Sequence, residues 1–223
     1  MDRMRGALSE ALSFVLPVAC PGCGARGTAL CEVCRELLAE CVLARELGGG
    51  IVAHAALSYE GVPAMAIRAM KERGRTDIAR AFAPAMRSAM AAAVRDLDRA
   101  AFVPVPTSRR SMRLRGYRVP DLLVRRAGAP AVRLLRPAFA AGDQRALGRD
   151  QRRRNVAGAL RARRGAQRGD PPVVIVDDVI TTGATCQEAA IALRDAGFDV
   201  AGAVALASTP MRQGREPGAG GTE

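Results

Sequence analysis

The sequence has few aromatic residues, one histidine and no long apolar segment, and each shortage excludes a class of structure or site. Aromatic side chains make up 3% of the 223 residues and Trp is absent, so the core must be aliphatic and rich in alanine. No run of about eighteen apolar residues occurs, so we expect no transmembrane helix. The single histidine, His54, lies in an apolar stretch, where a core or edge position is more typical than a catalytic role.

Positive charge is abundant but unevenly distributed. The net charge is +12, and Lys71 is the only lysine. Residues 104–168 contain 18 Arg and 3 Asp, a net of +15. Such a segment can bind the phosphate backbone of nucleic acid, and it can equally be a solvated face that holds a smaller anion. Both interpretations stay open, although few aromatic residues lie there to stack on bases.

The first forty residues contain two Cys-x-x-Cys pairs separated by seven residues. The four cysteines are Cys20, Cys23, Cys31 and Cys34. Four thiolates on two tight turns are tetrahedral ligands for structural Zn²⁺, which we predict here. Reduced, buried or redox-active cysteines are the alternative. Cys41 stands alone in a predicted helix from Glu32 to Glu46, and we expect it to be a packed thiol.

The stretch before Cys20 allows two interpretations. Early basic residues followed by partly apolar sequence resemble a lipoprotein signal, but polar residues interrupt the apolar stretch. One stripe of a short amphipathic helix would instead contain Leu8, Leu12, Val15 and Leu16. We favour the helix and expect a cytoplasmic protein.

The rest of the chain alternates between predicted strands and helices. The predicted strands are 51–59, 102–106, 159–162 and 200–207. The predicted helices are 62–72, 77–97 and 122–127, with Thr76 as an N-cap and Arg109 to Arg118 as a basic loop. This order predicts an α/β fold with a doubly wound, mainly parallel sheet that binds ligands at the carboxyl ends of its strands. We assign residues 1–47 to an N-terminal helix and zinc module, 51–207 to the main domain and 208–223 to a disordered tail.

Residues 173–185, VVIVDDVITTGAT, carry the most specific chemistry. Four β-branched residues predict a strand buried on both faces, and Asp177 and Asp178 follow it. Thr181, Thr182, Gly183, Ala184 and Thr185 form a small-residue loop before a predicted helix from Cys186 to Ala196. Such a loop and helix N-terminus bind phosphate, whereas paired carboxylates suit hydroxyl groups or Mg²⁺. A site that needs both suits ribose 5-phosphate.

At these thirteen positions the chain resembles the type I phosphoribosyltransferases, at their signature for 5-phosphoribosyl-1-pyrophosphate (PRPP). The resemblance implies a type I phosphoribosyltransferase-like fold. It also implies that Asp177 and Asp178 hold the ribose 2- and 3-hydroxyls, and that residues 181–185 wrap the 5-phosphate. Mg²⁺ would accompany PRPP.

Besides the CxxC pairs and the PRPP stretch, further pieces of the chain match one subfamily: the turn that contains Lys71, Val103-Pro104-Val105-Pro106 with Arg115-Gly116-Tyr117, Gln144 with Leu147, and Arg152 with Asn155-Val156. With these pieces, over about residues 14 to 207, the chain is similar to the ComF family of competence-associated proteins (ComFC/GntX type). The family joins a four-cysteine zinc module to a phosphoribosyltransferase domain. The resemblance implies that the loop after Pro106, with Arg109, Arg115 and Gly116, grips pyrophosphate. It also implies that a loop carrying Gln144, Arg152 and Asn155 closes over the site. For the family it implies a role in natural transformation, with single-stranded DNA and DNA-uptake helicase or competence proteins as partners.

The chain departs from the pattern of these relatives at particular positions. Arg118-Val119 stand where the ComF family usually has Asn-Gln, and Ala141 stands where it usually has Thr. Thr181 occupies a position where some transferases have an Asp base. Two hypotheses follow: a PRPP-dependent transferase, or a non-enzymatic single-stranded-DNA-binding transformation factor on the same scaffold.

Overall fold

A five-stranded sheet forms the centre of the protein. The computed structural model describes residues 18–38, 41–138 and 158–210. The strands of the sheet are β1 (Leu43–Glu46), β2 (Val52–Ser58), β3 (Ala101–Pro104), β6 (Val173–Ile180) and β7 (Val200–Ser208). They lie in the order β1-β2-β7-β6-β3. All neighbours are parallel except β1, which pairs antiparallel with β2. A separate antiparallel pair consists of β4 (Leu135–Pro137) and β5 (Leu160–Ala162). The predicted α/β class with a mostly parallel sheet is confirmed.

Helices cover both faces of this sheet. They are α1 (Glu32–Glu36), α2 (Gly61–Glu72), a 3₁₀ helix (Thr76–Arg80), α3 (Ala83–Ala93), α4 (Arg109–Arg115), α5 (Val119–Arg126) and α6 (Ala184–Asp195). One apolar core contains buried residues of α2, α3 and α5, and the other contains those of α6 with the β4–β5 pair. Ligand sites of such folds lie where the parallel strands end, at the edge that the helices leave open.

Strand β6 is buried on both faces, as its sequence predicts. Val174 and Val176 belong to one core and Val173 and Ile175 to the other, because successive side chains point to opposite faces. The strand is longer than predicted, since it continues to Ile180 and its second half pairs with β7. The acidic pair therefore lies within the strand, past the last residue of β3.

Small side chains make this packing possible. The buried part of β7 contains Ala203, Ala205 and Ala207. Gly202 of the same strand has no room for a side chain, because a Cβ there would lie 2.8 Å from the carbonyl oxygen of Val52. The aliphatic, alanine-rich core predicted from composition is confirmed among the described residues.

The predicted helix from Glu32 to Glu46 is wrong. Helix α1 ends at Glu36, and Leu43–Glu46 is strand β1 instead. Pairing with β2 supplies hydrogen bonds that outweigh the local helix propensity of this segment. Cys41 is exposed rather than packed. Strand β1 lies within the predicted module of residues 1–47, yet it is an edge strand of the main sheet.

The predicted helix 77–97 is divided into the 3₁₀ helix and α3. Pro84 lies in the first turn of α3, where its missing N–H breaks no helical hydrogen bond. Arg75, not Thr76, precedes the first of these helices as its cap. The predicted basic loop 109–118 contains helix α4, whose N-cap Ser108 accepts a hydrogen bond from the backbone N–H of Ser111.

Three predicted segments fall wholly or mainly outside the described residues: the N-terminal amphipathic helix, the loop 143–156 and the tail 208–223. Within the described ranges, no helix combines the length and apolar character needed to cross a membrane.

Candidate functional site

A pocket of about 430 Å³, which we call the acidic pocket, opens where β2, β3 and β6 end. Five residues that the sequence singled out line it together: Arg115, Asp177, Asp178, Thr181 and Thr185. Further polar side chains in its wall are Tyr59, Lys71, Thr107, Ser108 and Ser111. Carboxylates, hydroxyls and cationic groups thus surround one cavity.

The two carboxylates of the acidic pocket differ in their partners. Lys71, at the end of α2, donates a hydrogen bond of 2.9 Å to Asp178 Oδ1. The side chain of Asp178 is 13% exposed and that of Lys71 is 30% exposed, so the ion pair is only partly screened by water. Asp177 has no cationic hydrogen-bond partner among the described residues, and its Oδ1 accepts from the backbone N–H of Asp178 at 2.8 Å.

This arrangement raises the pKa of Asp177 to about 7. Burial is the largest cause and the neighbouring negative charge of Asp178 adds to it, while the backbone N–H of Asp178 and the charge of Lys71 offset part of the effect. The pKa of Asp177 therefore lies well above that of a free aspartate, because the pocket disfavours a second negative charge. The pocket has room for a cation or for hydroxyl donors that would compensate the second negative charge.

The loop of residues 181–185, which the sequence predicts to bind phosphate and which we call the phosphate loop, is held by β1 and the turn that follows it. Arg45 donates a hydrogen bond of 2.8 Å to the carbonyl oxygen of Thr181. Gln187 of α6 donates to the carbonyl oxygen of Leu47. Gly183 has a left-handed conformation with φ +83°, and a Cβ there would lie 2.8 Å from Leu47 Cδ2. The backbone conformation thus favours glycine at this position, and an added side chain would displace that of the buried Leu47.

Helix α6 begins at Ala184, within the phosphate loop. The backbone N–H groups of a first helical turn have no partners within the helix and carry partial positive charge. One of them, that of Ala184, donates to Thr182 Oγ1 at 3.3 Å. Thr181 and Thr185 line the acidic pocket, whereas Thr182, Gly183 and Ala184 do not, so the start of α6 borders the same cavity as the acidic pair.

Helix α4 supplies the opposite wall. Ser108, Ser111 and Arg115 lie on one face of this short helix, at the spacing that brings side chains together. Gly116, predicted with Arg109 and Arg115 as a pyrophosphate contact, is the left-handed C-cap residue of α4 with φ +75°. Arg109 does not line this pocket and lies at a neighbouring cavity instead. The hydroxyl of the next residue, Tyr117, donates to the carbonyl oxygen of Met70, which fixes α4 against the end of α2.

Three predicted site residues, Gln144, Arg152 and Asn155, lie outside the described residues. In the described wall, the sequence reasoning missed Tyr59, Thr107, Ser108 and Ser111 as lining residues. Their signal was weak: Tyr59 and Thr107 follow strands, as Thr181 does. The resemblance to the ComF family included Lys71 only as part of a turn, without a role in the site. Lys71 is the only lysine in an arginine-rich chain, and this could have marked it as a candidate site residue.

A second cluster, the cysteine cluster, consists of Cys20, Cys23, Cys31 and Cys34. Their four Sγ atoms all lie within 4.8 Å of one another, and those of Cys23 and Cys31 are 3.5 Å apart. Tetrahedral Zn²⁺ with Zn–S bonds of about 2.3 Å needs sulfur atoms about 3.8 Å apart, so the geometry fits this ion.

Backbone groups of the two turns favour a thiolate at Cys20, whereas burial and the neighbouring thiols raise the pKa of Cys34 to about 12. Burial raises the pKa of Cys20, but N–H groups of Cys31, Cys23 and Gly22 donate to its sulfur and bring the pKa down to about 6. Gly22 has no room for a side chain, because a Cβ there would lie 2.7 Å from Cys34 Sγ. The four-cysteine cluster predicted from spacing is present and is compatible with structural zinc.

Arg75 connects this cluster to the main domain. Its guanidinium group donates to the carbonyl oxygens of Ala19, at 2.9 Å, and Ala29, at 3.2 Å, and forms an ion pair with Asp77. The same pairing lowers the pKa of Asp77, because the guanidinium group donates hydrogen bonds to its carboxylate. Arg75, which lies four residues after Lys71, thereby fixes the segment around the cluster to the chain just after α2.

Comparison with known proteins adds no assignment to this geometry. The chain matches no protein-family model, and no curated protein is significantly similar to it in sequence.

Proposed function

We propose that the protein binds PRPP in the acidic pocket and is a type I phosphoribosyltransferase-like protein of the ComF type. One observation carries the proposal: the acidic pair of β6 and the phosphate loop line a single pocket that also presents Lys71 and Arg115. Phosphate, diol and pyrophosphate groups each find a complementary partner there. A cytoplasmic location is part of the proposal.

The ribose is the part of PRPP that the carboxylates recognise. Ionised carboxylates accept strong hydrogen bonds from vicinal hydroxyls, and Asp177 and Asp178 would each accept one. The 5-phosphate would bind the hydroxyls of Thr181 and Thr185 and the free N–H groups at the start of α6. Since the two groups are separated by the ribose itself, one ligand can satisfy both ends of the 173–185 stretch.

The pyrophosphate would lie toward α4. Arg115, Ser108 and Ser111 offer one guanidinium and two hydroxyl groups, and Lys71 can exchange its contact with Asp178 for a contact with the ligand. Oxygen ligands of the carboxylate type suit Mg²⁺, and Asp177 and Asp178 would hold it together with pyrophosphate oxygens. When bound, Mg²⁺ supplies positive charge that neutralises the departing group.

The reaction in this proposal is a substitution at ribose C1. The acceptor's nucleophilic atom forms a bond to C1, the bond from C1 to the pyrophosphate oxygen breaks, and its electron pair leaves with pyrophosphate. Arg115 and Lys71 would stabilise the charge on that leaving group. Thr181 cannot remove the acceptor's proton at neutral pH, so an acceptor that is already nucleophilic releases its proton to solvent.

Calorimetric titration with PRPP and Mg²⁺ tests the proposal. We expect saturable binding that weakens about tenfold or more without Mg²⁺ and for ribose 5-phosphate, which lacks the pyrophosphate. Release of pyrophosphate, measured against a panel of bases and amines, distinguishes a transferase from a protein that binds PRPP without turnover. Absence of PRPP binding by protein that retains its metal would contradict the proposal.

A second function, binding of single-stranded DNA during natural transformation, is favoured by the arginines of residues 104–168. Those among the described residues lie mostly on exposed surface. Phosphate contacts of this kind release counterions, so binding to an oligothymidylate should weaken steeply with salt. DNA-uptake helicases and other competence proteins belong to this proposal as partners. A lack of binding at low salt would exclude it.

A further inference from the structure

A second concave surface, the arginine groove, lies beside the acidic pocket and has a volume of about 720 Å³. Its charged lining residues are Arg109, Arg113, Arg118, Arg136 and Arg163. They come from α4, the residue before α5, strand β4 and the segment after β5. Elements distant in sequence thus bring five cations to one surface. The described lining contains no carboxylate that would neutralise them.

Among the residues that the structure describes, these five arginines have no carboxylate partner, unlike four other cations of the protein. The described residues form four ion pairs, and their cations are Lys71, Arg75, Arg133 and Arg164. None of these four lines the groove. A groove of this volume is no wider than about one Debye length at physiological ionic strength, so its charges repel one another and act together on a ligand.

Helix α4 separates the groove from the acidic pocket and contributes to both. Ser108, Ser111 and Arg115 face the pocket, whereas Arg109 and Arg113 face the groove. The two cavities meet at Pro106 and Thr107, which line both. A ligand in the groove would therefore lie next to a ligand in the pocket and would not replace it.

Recognition in the groove is electrostatic rather than aromatic. Its remaining lining residues are prolines, small or aliphatic side chains and one threonine, and the described wall contains no aromatic ring on which a base could stack. Guanidinium groups bind phosphate and carboxylate with two parallel hydrogen bonds, which gives both affinity and orientation.

We infer that the arginine groove binds the second substrate, and that this substrate is a small molecule with at least two anionic groups. The inference rests on the proposed function, since it names the acceptor of the same reaction. It explains why the groove adjoins the acidic pocket at Pro106 and Thr107, and why α4 carries cations on both faces.

The test uses the full-length protein with its metal and a series of probes of increasing negative charge: glycerol, glycerol 3-phosphate and 3-phosphoglycerate. Calorimetry at about 50 mM salt, with and without saturating PRPP and Mg²⁺, gives each dissociation constant. We expect affinity to rise along the series and 3-phosphoglycerate to bind whether or not PRPP is present. Equal affinity for all three probes would overturn the inference.

A pair of variants assigns the binding to the groove. The change R136Q/R163Q should weaken 3-phosphoglycerate binding about tenfold or more and leave PRPP binding within about threefold of wild type. The control R125Q/R126Q removes the same charge from exposed positions of α5 outside both cavities, and it should leave both affinities within about twofold. Equal losses in the two variants would show a general charge effect and overturn the inference.

The remaining outcomes are also decisive. If R136Q/R163Q loses PRPP affinity as strongly as 3-phosphoglycerate affinity, the groove belongs to the pyrophosphate site and holds no second substrate. A second outcome is that the small anions do not bind, whereas an oligothymidylate of about thirty nucleotides does. If R136Q/R163Q then loses oligothymidylate binding, the groove is a nucleic-acid surface and the inference fails. If wild type binds 3-phosphoglycerate but not PRPP, the proposed function fails and the groove is an anion site without a transfer role.

Discussion

The cysteine cluster and the acidic pocket both concentrate groups that become negative, but they are built in opposite ways. The cluster takes all four thiols from fifteen consecutive residues, 20–34, and its turns supply the N–H groups that stabilise the Cys20 thiolate. The acidic pocket takes its charges from distant segments, and Lys71 reaches Asp178 across 107 residues of sequence. A local site can be predicted from spacing alone, whereas an assembled site needs the fold.

Breaking the cluster should have the largest effect, confined to its own region. We expect Cys31→Ser to reduce zinc from about one ion per chain to near zero, because it removes one of the four ligands. Structural zinc contributes on the order of 10 kcal/mol to the folding of its module, so the module should lose stability with the ion. Hydrogen exchange should rise sharply over residues 18–38 and change little in β6. The matched control is Cys41→Ser, an exposed thiol outside the cluster, with unchanged metal content. Full zinc retention in Cys31→Ser would contradict the assignment.

Removing the charge of the acidic pair should abolish the pocket's proposed role without unfolding it. We expect D177N/D178N to weaken PRPP binding about a hundredfold or more, because two ionised acceptors are lost, while the melting temperature stays equal or rises. The control D98N/D199N changes the same charge at exposed positions and should bind like wild type. Unchanged PRPP affinity in D177N/D178N would show that the pocket is not the PRPP site.

Gly183→Ala tests whether the phosphate loop depends on contacts with distant residues. We expect a loss of about 2–3 kcal/mol in the free energy of unfolding, because the new Cβ adds strain at φ +83° and approaches Leu47. Gly74→Ala is the control: its φ is +69° and nothing lies within 4 Å of the added Cβ, so only the backbone cost remains. Equal losses in both variants, measured by denaturant titration, would exclude the Leu47 contact as a cause.

The pH dependence of stability gives the smallest expected effect. The pKa of Asp177 is raised from 3.8 to about 7 in the folded protein, so the folded state holds its proton more tightly than the unfolded state. Stability therefore falls as pH rises from about 4 to 7, and the whole penalty is present above pH 7.

Asp177→Asn cannot undergo this loss. Relative to wild type, we expect it to gain about 1–2 kcal/mol at pH 8 and nothing at pH 4, in metal-free buffer without PRPP. The gain is smaller than the full pKa shift would give, because Asp177 is only half-buried and water in the pocket stabilises its carboxylate. Denaturant titrations at both pH values measure the difference. A gain of the same size at pH 4 would show that the substitution acts through packing rather than through charge.

The parts of the fold that follow from local pattern were predictable. The buried residues of β6, the helix after the phosphate loop and the four-cysteine cluster each have a signal within about twenty residues. Strand β1 has no such local signal, because Leu43–Glu46 becomes a strand only through pairing with β2. The basic segment 109–118 was predicted as a loop because its many charges suggested one. The helix N-cap at Ser108 and the helix C-cap at Gly116 were signals of a helix that this prediction did not use. The acidic pair was predictable as chemistry, but its partner Lys71 is a consequence of tertiary packing.

The position of β7 has a consequence for the order in which the protein is made. It is the last strand among the described residues, yet it lies in the middle of the sheet, between β2 and β6. During synthesis the cysteine cluster emerges before the sheet and can fold from local contacts, while β2 and β6 cannot be joined until Val200–Ser208 has left the ribosome. Contacts of such long sequence separation form slowly, because loop closure precedes any gain. The pocket is thus completed only after β7 has been made, and ligand binding by a nascent chain would show that β7 has joined the sheet.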